Sequence, residues 1–200
     1  MKKLLLIGGL MALSSLSALA ATVTYGTGTS QLCVGASGCG VATQTIGTVI
    51  VTFNPIASST VLAQPTTFGS FGEIVVSCVG GGTGCLSQSL VGLNLYINIA
   101  QTLPSVGNAS ITGGVIAGSI SGTASSATIT WSVPNTMTIG IISYSVLNNP
   151  LGLVPPSVNA GVTSIQALIT DNTIPEPSTY AMMSAALVGL GLLRRRAVRK

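Results

Sequence analysis

The chain has 200 residues and a formal net charge of +4, with seven Lys and Arg against three Asp and Glu and no histidine. All the basic residues lie at the ends, at Lys2, Lys3, Arg194, Arg195, Arg196, Arg199 and Lys200, so the body over residues 21–173 holds only Glu73 and Asp171 and is slightly acidic. That excludes nucleic-acid binding, which needs a basic footprint, Ser/His/Asp and Cys/His nucleophile systems, which need histidine, and Schiff-base chemistry, which needs lysine.

Low charge alone does not imply disorder, because disorder goes with low hydrophobicity and high net charge. Here 47% of residues are apolar and the polar remainder is rich in Ser, Thr, Asn and Gly, so the body is expected to fold. With so little charge, copies have little to hold them apart.

Taken in chain order, Lys2 and Lys3 precede an apolar run over residues 4–13 and then a small-residue stretch, Ser17-Ala18-Leu19-Ala20. This is the order of a secretory signal. Ala18 and Ala20 supply the small side chains that signal peptidase requires, so the mature chain is expected to begin at Ala21. The apolar run falls short of the roughly 20 residues a spanning helix needs.

The body, residues 21–173, is roughly 150 residues long and has the size of one domain. Its four cysteines form two close pairs, Cys33/Cys39 and Cys78/Cys85, each bracketing a Gly-rich segment. In an exported chain this spacing reads as disulfides, and the two local pairings are favoured over the other connectivities. Neither spacing is CxxC and no histidine is present to complete a zinc site.

Period-two alternation marks half-buried strands. Val49, Val51 and Phe53 form one such set, and Val91, Leu93, Leu95, Ile97 and Ile99 another. Ala127, Ile129, Trp131 and Val133 form a third, with the Trp131 face in the core; Thr163, Ile165, Ala167 and Ile169 form a fourth. The Gly-rich residues 112–122 are expected to be a bulged strand, because Ile111, Val115, Ile116 and Ile120 need burial. Turn signals separate these segments at Asn54-Pro55, Leu103-Pro104, Pro134-Asn135, Asn148-Asn149-Pro150 and Pro155-Pro156. The fold expected is all-β, an antiparallel β-sandwich with jelly-roll or Greek-key connections.

Chemistry is sparse. Gly80 to Gly84 is Gly-rich but sits between cysteines in β context, where a turn is the sound reading. The one catalytic constellation the composition allows is a carboxylate pair, Glu73 with Asp171, as in glycoside hydrolysis; it requires the groups roughly 5–9.5 Å apart. Asp171 adjoins the tail and is expected to be exposed. Short Thr-x-Thr runs (Thr22/Thr24, Thr27/Thr29, Thr128/Thr130, Thr136/Thr138) read as solvent-facing strand threonines. Tyr25 and Tyr96 are the tyrosines expected to point outward, against Trp131 and Tyr144 inward. No catalytic, cofactor or metal site is expected.

The chain ends with Ile174-Pro175-Glu176-Pro177-Ser178-Thr179, an uncharged stretch over residues 180–193, and then Arg194-Arg195-Arg196 within a basic end, residues 194–200. Each proline pushes the residue before it out of the helical region, so the box is extended. The arginines hold the C-terminus in the cytoplasm by the positive-inside rule. Fourteen residues of helix span about 21 Å, short of the roughly 30 Å hydrocarbon core, a mismatch that snorkelling and local thinning can absorb.

This tail, residues 174–200, resembles the bacterial PEP-CTERM sorting signal: a Pro-Glu-Pro box, a short hydrophobic helix and a basic end. The resemblance implies transient anchoring in the inner membrane and removal near Pro175, Glu176 and Pro177 by an exosortase. It implies nothing upstream of the tail. The partners expected are therefore signal peptidase, exosortase and, transiently, the inner membrane, with exopolysaccharide as a further candidate. The resemblance also implies bacteria that make exopolysaccharide. The function expected is a structural or interaction protein of the cell surface or extracellular matrix, with a carbohydrate-binding module as alternative and a Glu73/Asp171 glycosidase as a remote one.

Overall fold

The computed structural model describes residues 20–34, 38–132 and 135–173, and residues 183, 184, 186–189 and 191 of the tail. The signal-peptide reading thus falls almost wholly outside the described residues. Among those described, the strands run β1 (Ala21–Gly26), β2 (Gln31–Val34), β3 (Gly38–Val41), β4 (Thr43–Ile46), β5 (Val49–Asn54), β6 (Ser59–Ala63), β7 (Thr66–Cys78) and β8 (Gln88–Ser89). They continue as β9 (Leu93–Leu103), β10 (Gly107–Ala117), β11 (Ser119–Ile120), β12 (Thr128–Thr130), β13 (Thr136–Ile139), β14 (Ile142–Val146), β15 (Leu151–Gly152) and β16 (Val162–Asp171).

All the pairings are antiparallel. One sheet follows the order β15-β12-β10-β9-β1-β6, with β2 also on β9 and β3 on β2. The facing sheet follows β13-β14-β16-β7-β5-β4, and β8 and β11 form a small third sheet. The expected all-β sandwich is therefore the observed architecture. The chain crosses between sheets repeatedly: β5 and β7 lie in one and β6 in the other, while β15 leaves the sheet that β14 and β16 share.

Alternation explains why each strand lies as it does. Val49, Val51 and Phe53 of β5, Leu93, Leu95, Ile97 and Ile99 of β9, and Ile165, Ala167 and Ile169 of β16 are all buried, with polar neighbours turned outward. Fully burying each large side chain contributes about 1.5–3 kcal/mol relative to exposure. Trp131 is buried as expected, over the bulge between Ile111 and Gly114 in β10. A Cβ on Gly114 would stand 2.6 Å from the indole ring and 2.9 Å from the Leu95 carbonyl oxygen, so only glycine fits beneath it.

Aromatic contacts join the two sheets. Tyr25 of β1 meets Phe71 of β7 edge-on at a centroid distance of 6.4 Å and Tyr144 of β14 at 5.6 Å. The Tyr25 hydroxyl donates to the Ser70 carbonyl oxygen at 2.8 Å, and the Tyr144 hydroxyl donates to Gln101 Oε1 at 2.6 Å. Gln101 Nε2 in turn donates to the Ser105 carbonyl oxygen at 2.8 Å, so this buried amide uses both its ends. Satisfied buried polar groups of this kind fix register, because leaving any one unmade is costly.

Four expectations are corrected. Tyr25 is buried, since it follows Val23 on the inward face of β1. Val91 is 73% exposed, because β9 begins only at Leu93, after the turn at Gly92. Val115 is exposed, because the β10 bulge moves Gly114 and Ile116 inward instead. Thr27 is buried: its hydroxyl donates to the Phe71 carbonyl oxygen at 2.9 Å and accepts from the Ile56 amide at 2.9 Å.

Candidate functional site

Both ends of the body leave the sandwich at one pole. Ala21 pairs with Ala63, the last residue of β6. Two residues on, past Gln64 and Pro65, the chain enters β7, and the Asp171 amide at the end of β16 donates to the Pro65 carbonyl oxygen at 2.7 Å. The turn over residues 104–106 closes the same pole from one sheet and the turn at 140–141 from the other. A Cβ on Gly107 would stand 2.5 Å from Ile139 Cγ2, and one on Gly140 would stand 2.4 Å from Ser105 Oγ, so the two turns are in close approach.

The last strand is finished by a local cap. Asp171 Oδ1 accepts from the Thr173 amide at 2.8 Å and from its hydroxyl at 2.7 Å, an Asx turn that stops the sheet three residues before the box. The Asn172 amide donates to the Ile141 carbonyl oxygen at 3.0 Å, and Asn172 Nδ2 donates to Ser143 Oγ at 2.7 Å. The sequence signal for this cap is Asp171-Asn172-Thr173, an Asx residue two before a Thr. Of the sorting residues, Pro175, Glu176, Pro177, Arg194, Arg195 and Arg196 lie outside the described residues, as does Ala18. Ala20 and Ala21 stand at the foot of β1.

The tail stretch over residues 180–193 is helical at 183, 184, 186–189 and 191, with Met183, Leu187 and Val188 exposed. Among the described residues no helix is long and apolar enough to cross a membrane.

Glu73 and Asp171 are not brought together. Glu73 lies opposite Ser164 across the β7–β16 ladder, while Asp171 is seven residues further along β16, roughly 23 Å at strand rise. They also face opposite ways: Glu73 is on the outer surface, where Asn54 Nδ2 donates to its Oε1 at 3.1 Å, and Asp171 points inward. The expected exposure of Asp171 is corrected, for it is only 2% exposed beneath its own turn. Among the described residues no three His, Cys, Asp or Glu side chains cluster as a metal site.

Cys78 and Cys85 are bonded to one another across a Cα separation of 5.3 Å. The loop they close turns on Gly80, Gly81 and Gly82, whose φ angles of 83°, 84° and 71° only glycine adopts freely. Cys33 is buried and disulfide-bonded. The side chain of Cys39, its expected partner, lies outside the described residues.

The outer faces of both sheets carry mainly hydroxyls and amides, with Glu73 the one charged side chain on them among the described residues. Cross-strand hydroxyl pairs recur there, Thr24 with Thr60 at 3.0 Å, Thr43 with Thr52 at 3.1 Å and Thr138 with Ser143 at 3.0 Å. Phe53, Phe71, Tyr25, Tyr144 and Trp131 are all in the core. Half-buried Tyr96 stands on one outer face and exposed Phe68 on the other, so neither face gathers an aromatic platform among the described residues.

An antiparallel β body whose last strand ends at Asp171, three residues before a Pro-Glu-Pro box, defines an all-β protein followed by a separate tail. The tail is matched by the PEP-CTERM protein-sorting motif over residues 173–197, which marks an exported protein sorted by an exosortase. The match begins at Thr173, the residue that caps Asp171. No curated protein and no solved structure matches the chain.

Proposed function

We propose that this chain is a structural or interaction protein of the bacterial cell surface or extracellular matrix. Signal peptidase frees it at Ala21, the apolar stretch 180–193 holds it briefly in the inner membrane, and exosortase cuts near Pro175, Glu176 and Pro177. The observation that carries this reading is the sorting motif, which begins where the last strand ends. The hydroxyl-rich faces, with so few charges, suit a matrix protein, since little repulsion keeps neighbours apart. The body acts without catalysis: its two acids face away from each other, and it has no histidine, lysine or arginine to work with them.

The basic end tests the anchoring step. Replacing Arg194, Arg195 and Arg196 with serine removes the charges that keep the C-terminus cytoplasmic. The expected result in fractionated host cells is loss of the processed form and accumulation of a mislocalised precursor. Processing and topology like those of the parent would contradict the reading.

A further inference from the structure

The pole from which the tail departs is also an apolar tip. Val106, at the crown of the 104–106 turn, is 85% exposed, and Leu103, Ile141 and Leu62 around it are exposed too. The acid at this pole, Asp171, is buried under its Asx turn, so among the described residues the tip shows no charged side chain, and the α-amino group that cleavage would leave on Ala21 is the one cation there. We infer that, while the tail is anchored, this pole rests in the headgroup region of the membrane, with Val106, Leu103 and Ile141 dipping towards the acyl chains.

Three features of the chain favour a lipid surface as the occupant. The tail leaves the sandwich beside Ile141, to which Asn172 is hydrogen-bonded. Only residues 174–179 separate Thr173 from the apolar stretch, and they span at most roughly 20 Å when fully extended. The headgroup region is only about 5–8 Å deep on each side of the hydrocarbon, so the tether keeps the tip within reach of it. Lastly, a tip whose side chains carry no charge has only the Ala21 α-amino group to keep hydrated at the interface, and a body without Lys or Arg has little electrostatic attraction to anionic lipid. Contact is therefore apolar and insensitive to salt. Exposed apolar residues occur at the opposite pole as well, Val91 among them, but the eleven-residue β9 holds that pole roughly 33 Å away.

This inference rests on the membrane-held tail proposed above, and the experiment separates the two. Chains spanning residues 21–200 and carrying Val106→Trp or Val91→Trp are reconstituted into phosphatidylcholine vesicles with bromine near the top of the acyl chains. Buried Trp131 supplies a constant background. The expected result is that both chains float with the vesicles, that the bromolipid removes most of the Val106→Trp fluorescence at low and high salt, and that Val91→Trp is unaffected. A chain that floats with Val106→Trp unquenched overturns the docking alone, and assigns the tip to water or to a protein such as the processing enzyme. Equal quenching at both positions also overturns it. A chain that fails to float overturns the anchoring reading and the docking with it.

Discussion

The hydroxyl of Tyr144 shows how much a single buried group can decide. It donates to Gln101 across the interface between the sheets, and Gln101 has no solvent to turn to if that donor is lost. Tyr144→Phe should therefore lower stability by about 1–3 kcal/mol, the cost of an orphaned buried acceptor, measured by urea denaturation. The same burial holds both phenols protonated to higher pH: desolvation raises the pKa of Tyr25 despite its bond to Ser70, and it raises that of Tyr144, helped by repulsion from Tyr25. Unfolded tyrosine ionises near pH 10. Above that the unfolded chain loses protons that the folded chain keeps, so stability is fully present below about pH 10 and falls as pH rises past it. Thermal melts at increasing alkaline pH should show this decline, reduced in Tyr144→Phe. A rise in stability above pH 10 would have the wrong sign.

At the scale of elements, the long alternating strands were legible because a half-buried strand writes its face into every second residue. Val49, Val51 and Phe53, and the Thr163 to Ile169 set, went inward as read. Tyr25 obeys the same rule with Val23, but a tyrosine fits a surface as readily as a core, so its type alone does not tell which way it points. Short strands such as β8, β11 and β15 have too few residues for a period. Strand order was also hidden, since β16 inserts between β14 and the distant β7, and no local pattern encodes that pairing. The loop after β7 was readable from its cysteines and glycines. Its bridge matters to the fold around it, because the Gly122 amide donates to the Cys85 carbonyl oxygen at 3.1 Å. Replacing both Cys78 and Cys85 with serine should cost about 2–3 kcal/mol through lost loop closure, seen as a lower melting temperature. An unchanged melt would show that the bridge adds nothing to the folded state.

For the whole molecule, the sandwich and the sorting tail were separately legible, and their junction was not. The box was read from its prolines and the basic end from its arginines, but the position of the exit depends on Ala21 meeting Ala63 and Asp171 meeting Pro65. Those contacts bring the first and last strands of the body, β1 and β16, to one pole. The central claim is that this chain is exported and trimmed at both ends, leaving the β body. Mass spectrometry of the mature termini, on protein recovered from the native host, tests it most directly. The account predicts a chain that begins at Ala21 and ends close to Pro175–Pro177, found outside the cytoplasm. Recovery only of a chain with Met1 and Lys200 both retained, in the cytoplasmic fraction, would contradict it.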